Sequence, residues 1–159
     1  PSIIAQSKVA TEAGQFEAET PQLTNSEVPV REIEANLGDL VEKDGYSFTA
    51  QSVDGEAQPG IIYTPREGTK LVAIEIIVGN VSGEVVTVNA LNSFLTDTDG
   101  FVYEAELGAI DEQIELVDIN PGERVKGWVA FEVPLDTEPA NILYQISGFP
   151  LIELESNVR

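Results

Sequence analysis

Lys70-Leu71-Val72-Ala73-Ile74-Glu75-Ile76-Ile77-Val78-Gly79-Asn80 and Arg124-Val125-Lys126-Gly127-Trp128-Val129-Ala130-Phe131-Glu132-Val133 are the stretches whose reading decides the fold. Successive side chains of a strand point to opposite faces, so residues two apart share a face. In the first stretch Val72, Ile74, Ile76 and Val78 fall on one face, and Leu71, Ala73, Glu75 and Ile77 on the other. A strand apolar on both sides belongs in the middle of a sheet. In the second, Val125, Gly127, Val129, Phe131 and Val133 make an apolar face, with Lys126, Trp128, Ala130 and Glu132 opposite. Facing sheets carrying one such strand each would bury the two apolar faces against one another. The single tryptophan would then point away from the core.

Outward from these two runs the same texture continues. Period-two segments at Leu37–Glu42, Tyr46–Val53, Glu84–Val88, Asn92–Thr96, Phe101–Ala105, Gln113–Ile119 and Asn141–Ser147 read as further strands. Between them stand Lys43-Asp44-Gly45, Val53-Asp54-Gly55, Asn80-Val81-Ser82-Gly83, Asp97-Thr98-Asp99-Gly100 and Asn120-Pro121-Gly122, which supply Gly, Asn or Asp where a turn needs positive φ or a side-chain acceptor. No helix of three turns stands out. The pattern predicts an all-β, Ig-like antiparallel β-sandwich over residues 37–159. Residues 1–36 carry only short apolar groups among Glu, Thr, Ser and Gln, and are expected to form an extended, acidic N-terminal arm or linker.

Composition narrows the function classes. A chain of 159 residues is long enough for one domain that buries about 70% of its unfolded surface, so it needs no staples. It has no cysteine, which removes disulfides and thiolate metal sites, and no histidine, which removes the commonest general base and zinc ligand. Eight Lys and Arg against 28 Asp and Glu leave a net charge of −20, a field that repels phosphate backbones and anionic membranes. No nucleic-acid partner is expected. No run is apolar and long enough for a membrane span, and the first residues do not read as a signal peptide. Starting on Pro1, the chain is expected to be a mature form from which an export segment has been removed.

Three segments, in order, carry a resemblance. They are Gly68-Thr69-Lys70-Leu71-Val72-Ala73-Ile74-Glu75 running to Val78-Gly79-Asn80; Phe94-Leu95-Thr96-Asp97-Thr98-Asp99-Gly100-Phe101-Val102-Tyr103; and Asn120-Pro121-Gly122-Glu123-Arg124 leading into Gly127-Trp128-Val129-Ala130-Phe131-Glu132-Val133-Pro134. Over about residues 37–147 the chain resembles the bacterial domain-of-unknown-function family numbered 4352. That family has an Ig-like sandwich, occurs in surface lipoproteins and is similar to a secreted mycobacterial immunogenic antigen. The resemblance implies the fold and an extracytoplasmic setting, secreted or lipid-anchored, and carries over no catalytic residues. The lipid-bearing cysteine expected ahead of such domains is missing from this sequence.

Several constellations invite a chemical reading. Between Lys70 and Arg124 there are eleven acidic residues and no basic one. Asp97-Thr98-Asp99-Gly100 looks like the opening of a calcium loop, with Glu104 in reach, so calcium is the one candidate cofactor. The distal glutamate of an EF-hand is absent at the required spacing, and Asp-Gly between strands is an ordinary hairpin signal, so the turn reading is preferred. A carboxylate pair for glycoside hydrolysis finds no groove to single it out among 28 acids. Ser47, Ser52, Ser93 and Ser147 have no histidine to activate them, and Gly55, Gly60 and Gly68 precede no helix. The long connection Asp54–Thr69 bears Ile61, Ile62 and Tyr63, apolar groups that are costly in a loop unless covered. Ile61 and Tyr63 are expected to fold back over the sandwich edge, and with Ile62 and the outward-pointing Trp128 they are the candidate partner-binding residues.

The function expected from these readings is an extracytoplasmic, non-catalytic binding or scaffold module. Its partner would be a protein or cell-envelope component. The alternative is an assembly domain whose arm adds to a neighbouring subunit's sheet edge to make a homo-oligomer. A carboxylate-based hydrolase is the remote third. The arm itself is expected to lie, through Ile3, Ile4, Val28 or Val30, near the outer face that carries Trp128.

Overall fold

The computed structural model describes residues 32–146 and 151–159, and within it Ile33 to Arg159 form one unit. Among the described residues ten strands follow in order: β1 Val41–Lys43, β2 Tyr46–Ala57, β3 Thr69–Asn80, β4 Val86–Val88, β5 Ser93–Asp97, β6 Val102–Glu104, β7 Val117–Ile119, β8 Arg124–Pro134, β9 Pro139–Ile146 and β10 Ile152–Asn157. One turn of 3₁₀ helix, Ala90–Asn92, precedes β5 and is capped by the Asn89 side chain, which accepts from the Leu91 N–H. One sheet has the order β1-β2-β3-β8, a second β10-β9-β5-β6, and β4 pairs with β7 alone. All of these strand pairs are antiparallel. The result is the Ig-like antiparallel β-sandwich that the alternation predicts.

The core lies between the two four-stranded sheets. Phe48 and Ala50 from β2, Val72, Ile74, Ile76 and Val78 from β3, and Val129, Phe131 and Val133 from β8 are all fully buried. They pack in one cluster with Leu95, Ile142, Tyr144 and Leu154 of the opposite sheet. Phe48 and Tyr144 stack across the interface with ring centroids 5.9 Å apart. Each large side chain so buried contributes about 1.5–3 kcal/mol, which makes this layer the main stabilising term. Val125, expected in the same set, sits at its rim and is only partly buried.

Four expectations are corrected. The β3 and β8 runs do not face each other: they are neighbours in one sheet, with Val72 opposite Phe131 and Ile74 opposite Val129. Their apolar faces are therefore joined side by side, and the facing layer is supplied by β5, β9 and β10. The first strand starts only at Val41, because Asn36 to Asp39 form a turn in which the Asn36 N–H donates to Asp39 Oδ2 and Gly38 takes a φ of 88°. Of Gln113–Ile119 only Val117–Ile119 is a strand. The C-terminal strand β10 was not anticipated from the sequence at all: Ile152-Glu153-Leu154-Glu155 alternates, but one apolar face two residues long is a weak signal.

Of the arm, Ile3, Ile4, Val28 and Val30 lie outside the described residues, and so does its proposed place near Trp128. Where the described chain begins, Ile33 and Ala35 carbonyls accept hydrogen bonds from the side-chain and backbone N–H groups of Asn157, at 2.7 and 2.9 Å.

Candidate functional site

Strand β8 is an edge strand, and an open edge of eleven residues would template strand addition. The segment after β6 closes it. Glu106 N–H donates to the Ala130 carbonyl at 2.8 Å, Ile114 N–H donates to the Trp128 carbonyl at 2.8 Å, and Trp128 N–H donates to the Glu112 carbonyl at 3.4 Å. The close approach is possible because position 127 has no side chain. A Cβ there would stand 2.6 Å from Ile114 Cγ1. The segment wraps the edge, with Ile114 in the main core and Ile110 on the outer face of the sheet.

That outer face has a small core of its own, in which Leu71, Ala109 and Ala130 are buried and Ala57, Tyr63 and Ile110 pack against them. At its edge lies the buried carboxylate of Glu132. Oε1 accepts from the Tyr63 hydroxyl; Oε2 accepts from Arg66 N–H at 2.6 Å, from Thr69 Oγ1 at 2.6 Å and from Arg66 Nε at 3.1 Å, the last an ion pair. Burial pushes the Glu132 pKa up, but the hydrogen bonds from Thr69, Tyr63 and Arg66 and the Arg66 charge outweigh it and bring the value down to about 2. Tyr63 is pushed well up, first by burial and then by its bond to Glu132, so it remains a donor. Glu132 is thus the latch that holds the 58–69 loop against β8.

The loop is fastened a second time where Gly60 N–H donates to the Ala109 carbonyl at 2.7 Å and Ile61 N–H donates to Asp111 Oδ1 at 3.4 Å. Between the two fastenings Ile61 and Ile62 are 93% and 88% exposed. Tyr63 folds back as expected, but Ile61 does not: the turn closed by Tyr63 N–H and the Gly60 carbonyl turns both isoleucines outward. Beside this tip is a shallow cavity of about 330 Å³ lined by Asp54, Ala57, Pro59, Asp111, Glu112 and Trp128 among others. Trp128 lies on the outer face, half-buried in that wall. Of the four residues singled out from the sequence, Trp128 lines this cavity, while Ile61 and Ile62 stand exposed on the loop whose Ile61 N–H reaches Asp111 of the same wall, and Tyr63 ties that loop to Glu132. Glu132, Ile110 and Asp111 were missed. Nothing local distinguishes Glu132 from any other outward glutamate.

Asp97, Asp99 and Glu104 are placed differently. Asp97 is buried; its Oδ1 accepts from the N–H groups of Asp99 and Phe101, both at 2.9 Å, and its Oδ2 from the Tyr103 hydroxyl at 3.0 Å. Its carboxylate closes the β5–β6 hairpin as an Asx turn. Asp99 is exposed at the turn, and Glu104 is exposed on β6, opposite Phe94. Among the described residues no three Asp, Glu, His or Cys side chains are grouped as metal ligands, and no helix is long and apolar enough to cross a membrane.

Comparison with known proteins agrees with this architecture. The family described as "Domain of unknown function (DUF4352)" matches residues 35–150. The uncharacterised protein YxkC of Bacillus subtilis is 29% identical over 111 residues, which are 62% of this chain and 62% of that protein. Among solved structures, the Bacillus subtilis protein ycdA, assigned as a candidate lipoprotein, superposes with a TM-score of 0.62 at 13% identity, covering 79% of this chain and 39% of the other. The secreted Mycobacterium tuberculosis protein MPT63 superposes with a TM-score of 0.61 at 16% identity, covering 82% and 99%. At such identities these structures share the fold alone. The chain spans less than two thirds of YxkC and of ycdA.

Proposed function

This chain belongs to the DUF4352 family, and from that premise we propose that it is a non-catalytic binding module working outside the cytoplasm, which recognises a protein or cell-envelope component through the surface around Trp128 and the Ile61–Ile62 tip. The observation that carries the reading is the pair of exposed isoleucines on a loop fastened at both ends, by Glu132 and by Ala109. Exposed apolar side chains on a rigid loop raise the free energy of the isolated protein unless a partner covers them. Holding the loop in place beforehand removes ordering cost from the binding step.

The extracytoplasmic setting rests on family membership and on fold relatives that include a secreted protein and a candidate lipoprotein. The non-catalytic part rests on the carboxylates. Glu132, the one buried glutamate among the described residues, is displaced downward by its donors, the reverse of what a general acid needs. Glu132 is moreover occupied by four donors.

The test compares Ile61→Asp/Ile62→Asp with the unaltered chain and with Phe101→Asp/Leu135→Asp, whose sites are also exposed. Each is immobilised and exposed to bacterial cell-envelope fractions. Retention should be lost only in the first variant, with melting temperatures unchanged. Equal retention by all three would refute the reading.

A further inference from the structure

The 105–116 segment carries an apolar surface that the closing of β8 does not use. Leu107 and Leu116 are 57% and 69% exposed, and with Leu91, Ile110 and Ile114 they line a groove of about 410 Å³. Asp111 and Glu115 also line it. Ile110 and Asp111 belong at the same time to the wall of the Trp128 cavity, so the two depressions adjoin across a single pair of residues. Apolar side chains and carboxylates line it together, and Asp54, Asp111 and Glu112 of the adjoining cavity with Glu115 of the groove bias the surface toward a cationic occupant, against one exposed lysine, Lys126, two residues from Trp128 on the same strand face.

We propose that this groove, together with the Trp128 cavity, binds a basic peptide segment of a protein partner, its apolar side chains seated on Leu107 and Leu116 and its Lys or Arg side chains over Asp111, Glu112 and Trp128. The proposal rests on the binding-module reading and names the chemistry of its partner. Charge complementarity selects the occupant. A second copy of this chain would bring a second net charge of −20, and an anionic lipid surface would meet the same repulsion. A cationic segment is attracted instead, and its ammonium or guanidinium groups gain from the indole face as well as from the carboxylates. The leucines supply what charge alone lacks, a fixed seat and so a register.

The probe is a short synthetic peptide of leucine, lysine and glycine, with two counterparts: glutamate for each lysine, and alanine for each leucine. Trp128, the only tryptophan, is the reporter. With the unaltered chain the first peptide should change Trp128 emission saturably, and raising salt from about 0.05 to 0.5 M should weaken it about tenfold. The counterparts should bind at least about tenfold more weakly, and Leu107→Asp/Leu116→Asp should lower affinity for the first peptide by a similar factor. Glu112→Gln/Glu115→Gln should reduce the salt dependence while the fold melts as before. Equal binding of the leucine and alanine peptides, or of the leucine variant and the unaltered chain, would overturn the proposal as unspecific charge adhesion. So would self-association, or adsorption to anionic vesicles, that Leu107→Asp/Leu116→Asp abolishes. A negative peptide result alongside envelope retention that depends on Ile61 and Ile62 would sink this inference and leave the binding-module reading standing. Retention independent of those isoleucines would sink the reading itself.

Discussion

Replacing Glu132 by glutamine keeps the shape of the latch and removes its charge. The carboxylate accepts from Tyr63, Thr69 and Arg66, and its pKa falls from an ordinary 4.5 to about 2. At 1.36 kcal/mol per pH unit that displacement corresponds to roughly 3 kcal/mol of preference for the ionised, folded state. Arg66 is 72% exposed, so its part is screened, and about 2 kcal/mol is the working figure. Glutamine also turns one acceptor oxygen into an NH₂ group: in the place of Oε2 it would face the Arg66 and Thr69 donors, and in the place of Oε1 the Tyr63 hydroxyl, so at least one donor loses its acceptor. At pH 7, Glu132→Gln should therefore cost about 2 kcal/mol and lower the melting temperature by roughly 5–10 °C.

The pH dependence follows from the sign of the shift. A carboxylate whose folded pKa is depressed stabilises fully above its unfolded value and loses that contribution as pH falls through its folded value. The gap between the unaltered chain and Glu132→Gln should be constant above about pH 5.5, shrink between about pH 4.5 and 2, and close below that. Urea melts of both proteins from pH 7 to 2 measure it, and comparing the pair cancels the titration of the other acids. A gap that is the same at pH 7 and pH 2.5, or one below about 0.5 kcal/mol throughout, would refute the argument that Glu132 holds the loop as a charge.

Two further outcomes are expected. Gly127→Ala should destabilise by about 1–3 kcal/mol and shift Trp128 emission to the red, because the new methyl collides with Ile114 and lifts the segment off β8; an unchanged spectrum and midpoint would show that the segment can yield. Millimolar calcium should leave the melting temperature where it is, because the Asp97 oxygens are already engaged by Asp99, Phe101 and Tyr103; a rise that Asp99→Asn abolishes would restore the calcium reading.

Much of the fold was legible because alternation is a local property. Each strand's buried face is written in its own residues, so Val72, Ile74, Ile76 and Val78 on one strand and Val129, Phe131 and Val133 on another could be read as core without knowing what they touch. The Asp-Gly and Asn-Pro-Gly turns are local for the same reason. In this way the sequence by itself determined an all-β chain, a large part of its core, the outward set of Trp128 and a net charge of −20. It could not say which strand lies beside which. Two apolar faces of four and five residues suit facing sheets or neighbouring strands alike, and only packing across the whole domain made β3 and β8 neighbours. The candidate site was half legible. Ile61, Ile62, Tyr63 and Trp128 stood out as apolar groups where none should be free, but the residues that position them did not. Glu132 gains its role from donors more than sixty residues away in sequence, and Ile110 and Asp111 gain theirs because Gly127 lets a distant segment lie along β8. Those relations exist only in the folded chain, since a carboxylate or a groove acquires its chemistry from neighbours that no local pattern encodes.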